Sequence, residues 1–565
     1  MTVRSLLMRL PGMITLSLAG WHSHAVMAQS LPQIPALDEI VRDRAPRAAI
    51  PSSDYDLRIQ TPERAPVPRA IDELEFTIAR IDVKGAEHYP AQEVTAVFQP
   101  LIGQTISLES LREAADKLEQ RYHNDGYFLT RVFVPPQLVK DGVLTVQVVE
   151  GYVSAVNVDA QDSGLKVRLA RMLAPLIGEK PVKLADIETL LLTVNDMPGL
   201  IGSSVLRPSD QFGATELILT VRPRRNEYRF SVGNSASDSL GPWTWEAHAT
   251  LNRAFGRAGA LEMSATAGGR SLREIRIGTL RYSEPIASSG LIASIGGLYA
   301  EARPGGIIRP LDVRSHVASI SLRLRYPLLR QRNQSLFLEG GIAANSTQTD
   351  ILNTRLISDR QTVIDASLLW QQSGWLDGTT TASLGIYHGT GLFGAMSRSA
   401  SHPSVAGFDP RFTRVSLLGQ RLQRLIGPFS AYASVQGQYS KDRLLTGEQI
   451  TFGGPFIGRA YDPSIIGGDR GIGGLAELRW NRPLRDSGFL SNTQIYGFAD
   501  TARATTLAYQ ATPRLVERLS SLGAGVRFDL RNRVHVDSYI ADARKSVAGT
   551  VANDDRVIIR LDTQF

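Results

Sequence analysis

The chain contains no cysteine in its 565 residues. Disulfides are therefore excluded, as are zinc and haem sites built on thiolates. After the first residues no stretch reaches 18 apolar positions, so no membrane-crossing helix is expected. No Walker-type glycine-lysine pattern is present, which leaves nucleotide hydrolysis without support. Nine histidines are scattered along the chain. His388, His402 and His535 fall in separate stretches, with no nucleophile–base arrangement around them. No catalytic residue, cofactor or metal site is expected. The net charge is +7 and the pI about 9.5, but the basic residues are dispersed through alternating segments. That distribution suits a solvated surface or channel wall rather than a nucleic-acid groove.

What is present begins with a leader. "MTVRSLLMRLPGMITLSLAGWHSHAVMAQS" has Arg4 and Arg9 ahead of a short apolar stretch, then Val26 and Ala28 as a small-residue cleavage pattern. Residues 1–28 read as a secretory signal peptide. In residues 31–50, Leu37, Ile40 and Val41 share one face of a short candidate helix that Pro46 would limit. Residues 51–74 hold four prolines and little apolar content, the composition of an extended linker.

Residues 75–151 read as a small α+β domain. Its clearest helix follows Ser107, a plausible N-cap, and buries Leu108, Leu111, Ala115, Leu118 and Tyr122 before Gly126 stops it. Residues 152–225 repeat the plan. "VFQPLIGQTISLESLREAADKL" and "MLAPLIGEKPVKLADIETLLL" both run apolar–Pro-Leu-Ile-Gly–polar–helix, so one supersecondary unit is used twice.

The texture changes after Arg225. From 226 to 565 about ten residues at a time alternate in polarity. In "HVASISLRLRYPLL" one face carries Val317, Ser319, Ser321, Arg323 and Arg325, and the other Ala318, Ile320, Leu322, Leu324 and Tyr326. Arginine would be costly inside a two-sheet core. It is natural if the apolar face meets lipid and the polar face a hydrated lumen. Strands in lipid must pair all their backbone groups, so they have to close. Sixteen candidates occur, near 228–234, 244–252, 260–267, 272–283, 291–303, 315–329, 334–343, 361–371, 380–388, 411–421, 429–439, 473–482, 493–501, 521–530, 533–543 and 556–565. The last places Val557, Ile559, Leu561, Thr563 and the terminal Phe565 on one face, a form suited to barrel closure and to recognition by barrel-assembly machinery.

Between candidates eleven and twelve lies a long glycine-rich loop, residues 447–471. It contains "GRAYDP" at Gly458–Pro463 and "GGDRG" at Gly467–Gly471. Here the chain resembles the TpsB outer-membrane transporters of two-partner secretion, in the Omp85 superfamily, and is similar to the haemolysin and filamentous-haemagglutinin exporters. The resemblance spans the whole mature chain. It implies a 16-stranded antiparallel transmembrane β-barrel over 226–565, preceded by two small α+β POTRA domains (75–151 and 152–225), the 51–74 linker and an N-terminal plug helix in 31–50. It also implies that the 447–471 loop folds back into the lumen. Its motif residues would be Gly458, Arg459, Ala460, Tyr461, Asp462 and Asp469, with Ala460 in place of the usual glycine, where a Cβ disfavours a positive φ. In the family the motif arginine pairs with an aspartate on the thirteenth strand. The matching stretch is "FADTA", so the expected salt bridge is Arg459–Asp500.

The function so implied is translocation of a large partner exoprotein, a haemolysin- or adhesin-like TpsA, from the periplasm to the cell surface of a Gram-negative bacterium. The POTRA domains would stay in the periplasm and bind that partner in a non-native state. The other partners are outer-membrane lipids and, during biogenesis, the assembly machinery, with no nucleic acid. The alternative is an assembly factor for outer-membrane proteins, as in the BamA and TamA branches. A simple porin would not need two mixed domains.

Overall fold

The computed structural model describes residues 56–59, 75–256, 258–482, 484, 486–547 and 555–565. The expected signal peptide, the plug helix and most of the linker lie outside these residues. One piece of the linker is described, and it is not a free extended chain. Asp56–Ile59 forms strand β1, which belongs to the second mixed domain.

The first mixed domain comprises β2 (Glu75–Thr77), β3 (Arg80–Lys84), α1 (Ala91–Ala96), β4 (Thr105–Ser107), α2 (Leu108–Asn124), β5 (Arg131–Phe133) and β6 (Val143–Val149). Its main sheet has the order β3-β6-β5, and β2 pairs with β4. The Ser107 hydroxyl accepts from the Ser110 N–H at 3.3 Å, so α2 starts at the expected cap. Leu111, Ala115, Leu118 and Tyr122 are buried as the periodicity predicts, and Leu108 is only partly so. Two carboxylates are also buried. Glu119 pairs with Arg131 at 2.9 Å and accepts the Val132 N–H at 2.8 Å. Glu150 accepts from the Glu87 N–H at 2.9 Å, the His88 N–H at 2.8 Å and the Tyr122 hydroxyl at 2.8 Å. Burial and that hydrogen bond push the Tyr122 hydroxyl well above its ordinary range, so it remains a donor.

The second domain comprises β7 (Tyr152–Asp159), α3 (Ser163–Leu173), α4 (Leu184–Asn195), β8 (Leu200–Pro208) and β9 (Ala214–Pro223). Its sheet has the order β1-β8-β9-β7. β1 runs parallel to β8, from Asp56 opposite Ser203 to Ile59 opposite Leu206, and Leu57 packs on the domain core.

The barrel strands are β10 (Glu227–Gly233), β11 (Thr244–Asn252), β12 (Ala260–Gly268), β13 (Ile275–Pro285), β14 (Ile292–Ala302), β15 (Arg314–Arg330), β16 (Gln334–Ile351) and β17 (Thr354–Ser373). They continue as β18 (Gly378–Thr390), β19 (Thr413–Arg424), β20 (Phe429–Ser440), β23 (Arg470–Asn481), β24 (Leu490–Thr506), β25 (Leu515–Leu530), β26 (Val534–Ala543) and β27 (Asp555–Gln564). Each overlaps one of the sixteen expected stretches, and together they form one closed antiparallel barrel. β10 closes on β27 in register from Arg229 opposite Gln564 to Gly233 opposite Arg560. On β15 the apolar face is the exposed one: Ile320, Leu322 and Leu324 point outward, while Val317 is buried. That is the inversion a lipid-facing wall requires.

The β16–β17 hairpin extends well past its expected limits, with paired backbone up to Ile351 opposite Thr354. Its added residues, such as Asn345, Thr347 and Gln348, are polar on both faces and carry no hydropathy alternation to read.

The second mixed domain sits against the short-turn end of the barrel. Arg168 donates to the Pro285 carbonyl at 2.6 Å, and Thr189 to the Arg330 carbonyl at 2.8 Å. Arg330 holds Asp196 with two parallel bonds, Nε to Oδ2 at 2.7 Å and Nη2 to Oδ1 at 2.9 Å. Both side chains are almost wholly buried. The long loops, including 441–469, lie at the other end.

Candidate functional site

Two short strands, β21 (Ile450–Phe452) and β22 (Ile466–Gly468), pair within the long loop. The hairpin is not a surface loop. Ile450, Phe452, Ile457, Tyr461 and Ile466 are buried in one cluster with inward residues of β23 to β27, such as Leu475, Phe498, Leu519 and Tyr539. The loop is thus packed against the inner wall of the barrel.

Glycine makes the return turn possible. Gly458 has φ +92, and a Cβ there would come within 2.9 Å of Gly453 Cα and 3.0 Å of Leu519 Cδ1. Ala460 has no positive φ. The alanine therefore costs no backbone strain at the position where the motif usually has glycine.

Arg459 is buried and its guanidinium reaches a carboxylate, but not the expected one. Nη2 lies 2.6 Å from Glu477 Oε1 on β23. Asp500 on β24 instead takes the backbone of the loop tip. Its Oδ1 accepts the Gly458 N–H at 2.9 Å and its Oδ2 the Arg459 N–H at 3.3 Å. The Ser521 hydroxyl fills another lone pair on Oδ1 at 2.6 Å. The expected Arg459–Asp500 side-chain bridge is therefore corrected. Asp500 holds the motif through its main chain, because the turn at Gly458 aims two successive N–H groups at that carboxylate.

Glu477 also receives Arg479 at 2.6 Å and Arg527 at 3.2 Å. Arg527 reaches Asp537 at 3.0 Å as well, and Asp537 accepts the Tyr496 hydroxyl at 2.7 Å. Three guanidinium groups, those of Arg459, Arg479 and Arg527, thus meet the two carboxylates Glu477 and Asp537. The faces of the arginines are covered by rings: Arg459 is 4.5 Å from the Phe498 centroid and Arg527 is 3.8 Å from that of Tyr496. This arrangement suits a pore, where isolated charges on a narrow wall would be poorly solvated.

The remaining motif residues tie the loop elsewhere. Tyr461 is fully buried. Its hydroxyl lies 2.8 Å from the Lys545 carbonyl and 3.0 Å from that of Ser520. Asp462 pairs with Arg556 at 3.0 Å, and Arg556 also donates to the Tyr461 carbonyl at 2.6 Å. Asp469 is buried and accepts the Leu444 N–H and the Leu507 N–H, each at 2.8 Å, so it joins the base of the loop to its neighbour. Phe565 lies apart from this site. Its side chain is exposed, and its N–H bonds the Tyr228 carbonyl at 2.9 Å across the closure seam.

Glu477 was missed in the sequence. Its signal was there: alternation in "GGLAELRW" puts Leu475, Glu477 and Arg479 on one face, a carboxylate on a lumen wall otherwise rich in arginine. Beside the loop the lumen holds a cavity of about 840 Å³ that runs from Glu227 and Glu262 at the domain end of the barrel to Ser237 and Leu240 at the other end, with Arg229, Glu246 and Arg560 on its wall. Among the described residues no group of three or more His, Asp or Glu could hold a metal.

Comparison with known proteins agrees with this geometry. The family model described as haemolysin secretion/activation protein ShlB/FhaC/HecB matches residues 213–528, more than half of the chain, and a ShlB-type POTRA domain matches residues 76–151. The chain is 22% identical to the heme/hemopexin transporter protein HuxB of Haemophilus influenzae over 90% of both sequences. It is 26% identical to the outer membrane transporter CdiB of Escherichia coli, over 72% of this chain and 69% of that one. The solved structure of CdiB from Escherichia coli superposes with a TM-score of 0.69 at 19% identity, covering 96% of this chain and 97% of that one, which shows a shared fold. With its barrel in the outer membrane and its POTRA domains in the periplasm, the chain belongs to the haemolysin secretion/activation family, the TpsB translocases of two-partner secretion in the Omp85 superfamily.

Proposed function

We propose that the chain exports a large exoprotein of the haemolysin or adhesin type, and that the periplasmic domains take it in a non-native state before it enters the lumen. The observation that carries this reading is an apolar surface shared by the two mixed domains. Phe133 on the edge strand β5 and Phe212 in the β8–β9 turn are exposed and meet edge to face, 6.2 Å between ring centroids. Leu138 and Val139 are exposed in the loop after β5. A strand edge beside exposed aromatics suits an extended segment, whose backbone can add to the sheet while its side chains meet the rings.

The edges differ in availability. β8 already has β1 along it, so that edge admits a cargo segment only if β1 leaves. β5 and β7 are the outer strands on the other sides of the two sheets. From there the cargo would face the cavity beside the folded loop. The loop has to shift for a chain to pass, and the ion-pair cluster around Glu477 is what it would leave behind. Folding of the partner outside the cell would draw the movement outward. The assembly-factor alternative shares this architecture, but no particular residue favours it.

The test is binding of the partner's N-terminal region to the full-length transporter in detergent. Parent protein should bind the unfolded partner in preference to an unrelated unfolded chain, and F133A with F212A should lose most of that preference. Equal binding of both chains by the parent would end the reading.

A further inference from the structure

Near the extracellular end of the barrel, outward arginines are usually balanced. Arg276 on β13 stands directly opposite Glu301 on β14, and Arg303 reaches the same Glu301 at 2.6 Å. β24 and β25 break this pattern. Arg503 and Arg518 are directly opposite each other in register, and both are exposed. Among the described residues neither has a hydrogen bond or an ion pair. Their face is the lipid face, since it continues downward through Thr501 opposite Ser520 and Ala499 opposite Leu522. Like charges directly opposite on a sheet are mutually destabilising.

The neighbouring arginines Arg470 and Arg544 are already engaged. Arg470 on β23 donates to the Ser440 carbonyl at 2.6 Å and lies over the Tyr439 ring at 4.5 Å. Arg544 pairs with Asp542 at 2.9 Å. Asp555 stands opposite Asp542 on the far side of β26; it has no ion pair among the described residues, but it is two strands from Arg518. Arg503 and Arg518 are thus the unbalanced arginines that stand opposite each other in register, and Arg514, just before β25, is a further exposed arginine beside them.

Below them the outer wall has a shallow groove of about 780 Å³. Gly497, Ala499 and Ala524 are small residues along it, Leu478, Leu522 and Ile540 stand at its sides, and Asp542 and Asp555 border it toward β27, away from the two arginines. A paired cationic site above an apolar furrow matches a molecule with a phosphate at the membrane surface and acyl chains beneath. Guanidinium groups bind phosphate with two directed bonds each.

We propose that Arg503 and Arg518 bind a phosphate of a phosphorylated glycolipid in the outer leaflet, with an acyl chain lying in the groove between Leu478 and Ile540. The ligand removes the repulsion between the two arginines. It also fastens a lipid to the strands whose inner faces hold the folded loop, since Asp500 and Ser521 lie on β24 and β25.

The experiment titrates full-length protein in detergent with diphosphorylated lipid A and reads bound lipid by native mass spectrometry. R503Q with R518Q should weaken binding by roughly tenfold or more, as expected for loss of charge-assisted hydrogen bonds, while R503K with R518K should retain most of it. Fully dephosphorylated lipid A should bind the parent as weakly as diphosphorylated lipid A binds the glutamine variant. Inorganic phosphate in millimolar amounts should not compete, because it has no acyl chain. Heat-modifiability on gels confirms that each variant has assembled. If the glutamine pair fails to assemble, A524F supplies the second reading: it fills the groove, leaves both arginines, and should also weaken binding. Unchanged affinity in an assembled glutamine pair or in A524F, equal binding of the dephosphorylated lipid, or full competition by inorganic phosphate would overturn the proposal.

Discussion

The guanidinium of Arg459 lies 2.6 Å from Glu477, on the strand before the one that holds Asp500. The two carboxylates divide the work at the loop tip. Glu477 takes the charge of the side chain, and Asp500 takes two N–H groups of the turn.

The division predicts unequal effects. E477Q should release the loop more than D500N, because an amide at 500 can still accept one N–H, whereas an amide at 477 leaves three arginines without their common anion. Removing one partner of a buried pair costs about 3–5 kcal/mol, and water in the lumen lowers that figure here. Since the chain has no cysteine, F456C provides a single thiol on the loop. Maleimide labelling of intact cells should rise several-fold in E477Q and R459A, and less in D500N. A double-mutant cycle should show coupling between 459 and 477. Equal labelling in E477Q and its parent would remove Glu477 from the anchoring role.

The Asp196–Arg330 pair predicts a hinge point. D196A would leave Arg330 buried without its carboxylate, a loss of about 3–5 kcal/mol at most. Amide hydrogen exchange in α4 should accelerate markedly, while β16, on the barrel side of the same turn, should be unaffected. No change in α4 would mean that the domain is held by its other contacts, through Arg168 and Thr189.

Strand β1 predicts a guarded edge. Arg58→Pro removes a backbone N–H from the ladder with β8 and should detach the segment. Exchange at Ser203–Leu206 should speed up, and partner binding should strengthen if the freed edge receives cargo. Faster exchange with unchanged binding would assign cargo to β5 or β7 instead.

The chain terminus predicts an assembly phenotype. Deleting Phe565 removes the pair of backbone bonds with Tyr228 and the exposed terminal ring. The amount of heat-modifiable barrel should fall several-fold, while secretion per assembled molecule stays unchanged. A full amount of barrel with reduced secretion would place Phe565 in transport rather than biogenesis.

Much of this architecture was legible in the residues. The alternation on β15, with Arg323 and Arg325 on one face and Leu322 and Leu324 on the other, is enough to separate lumen from lipid, because adjacent side chains on a strand point to opposite faces. Ser107 marked the start of α2 because a cap is a local hydrogen bond. The loop's place in the lumen followed from the resemblance carried by "GRAYDP", and alternation alone would have left it on the surface. Three features were out of reach. The upper part of β16 is largely polar on both faces, and that of β17 puts Leu356 and Ile357 on opposite faces, so only their backbone pairing defines them. β1 has four residues and becomes a strand only because β8 offers an edge. The partner of Arg459 depends on where a turn more than fifteen residues before Glu477 places its guanidinium. Sequence by itself determined the faces of the membrane-spanning parts of the strands and the barrel's strand number, since both rest on period-two alternation. Only the tertiary structure decided which carboxylate meets the arginine and which meets the backbone, since that choice depends on the direction in which the turn at Gly458 enters the barrel.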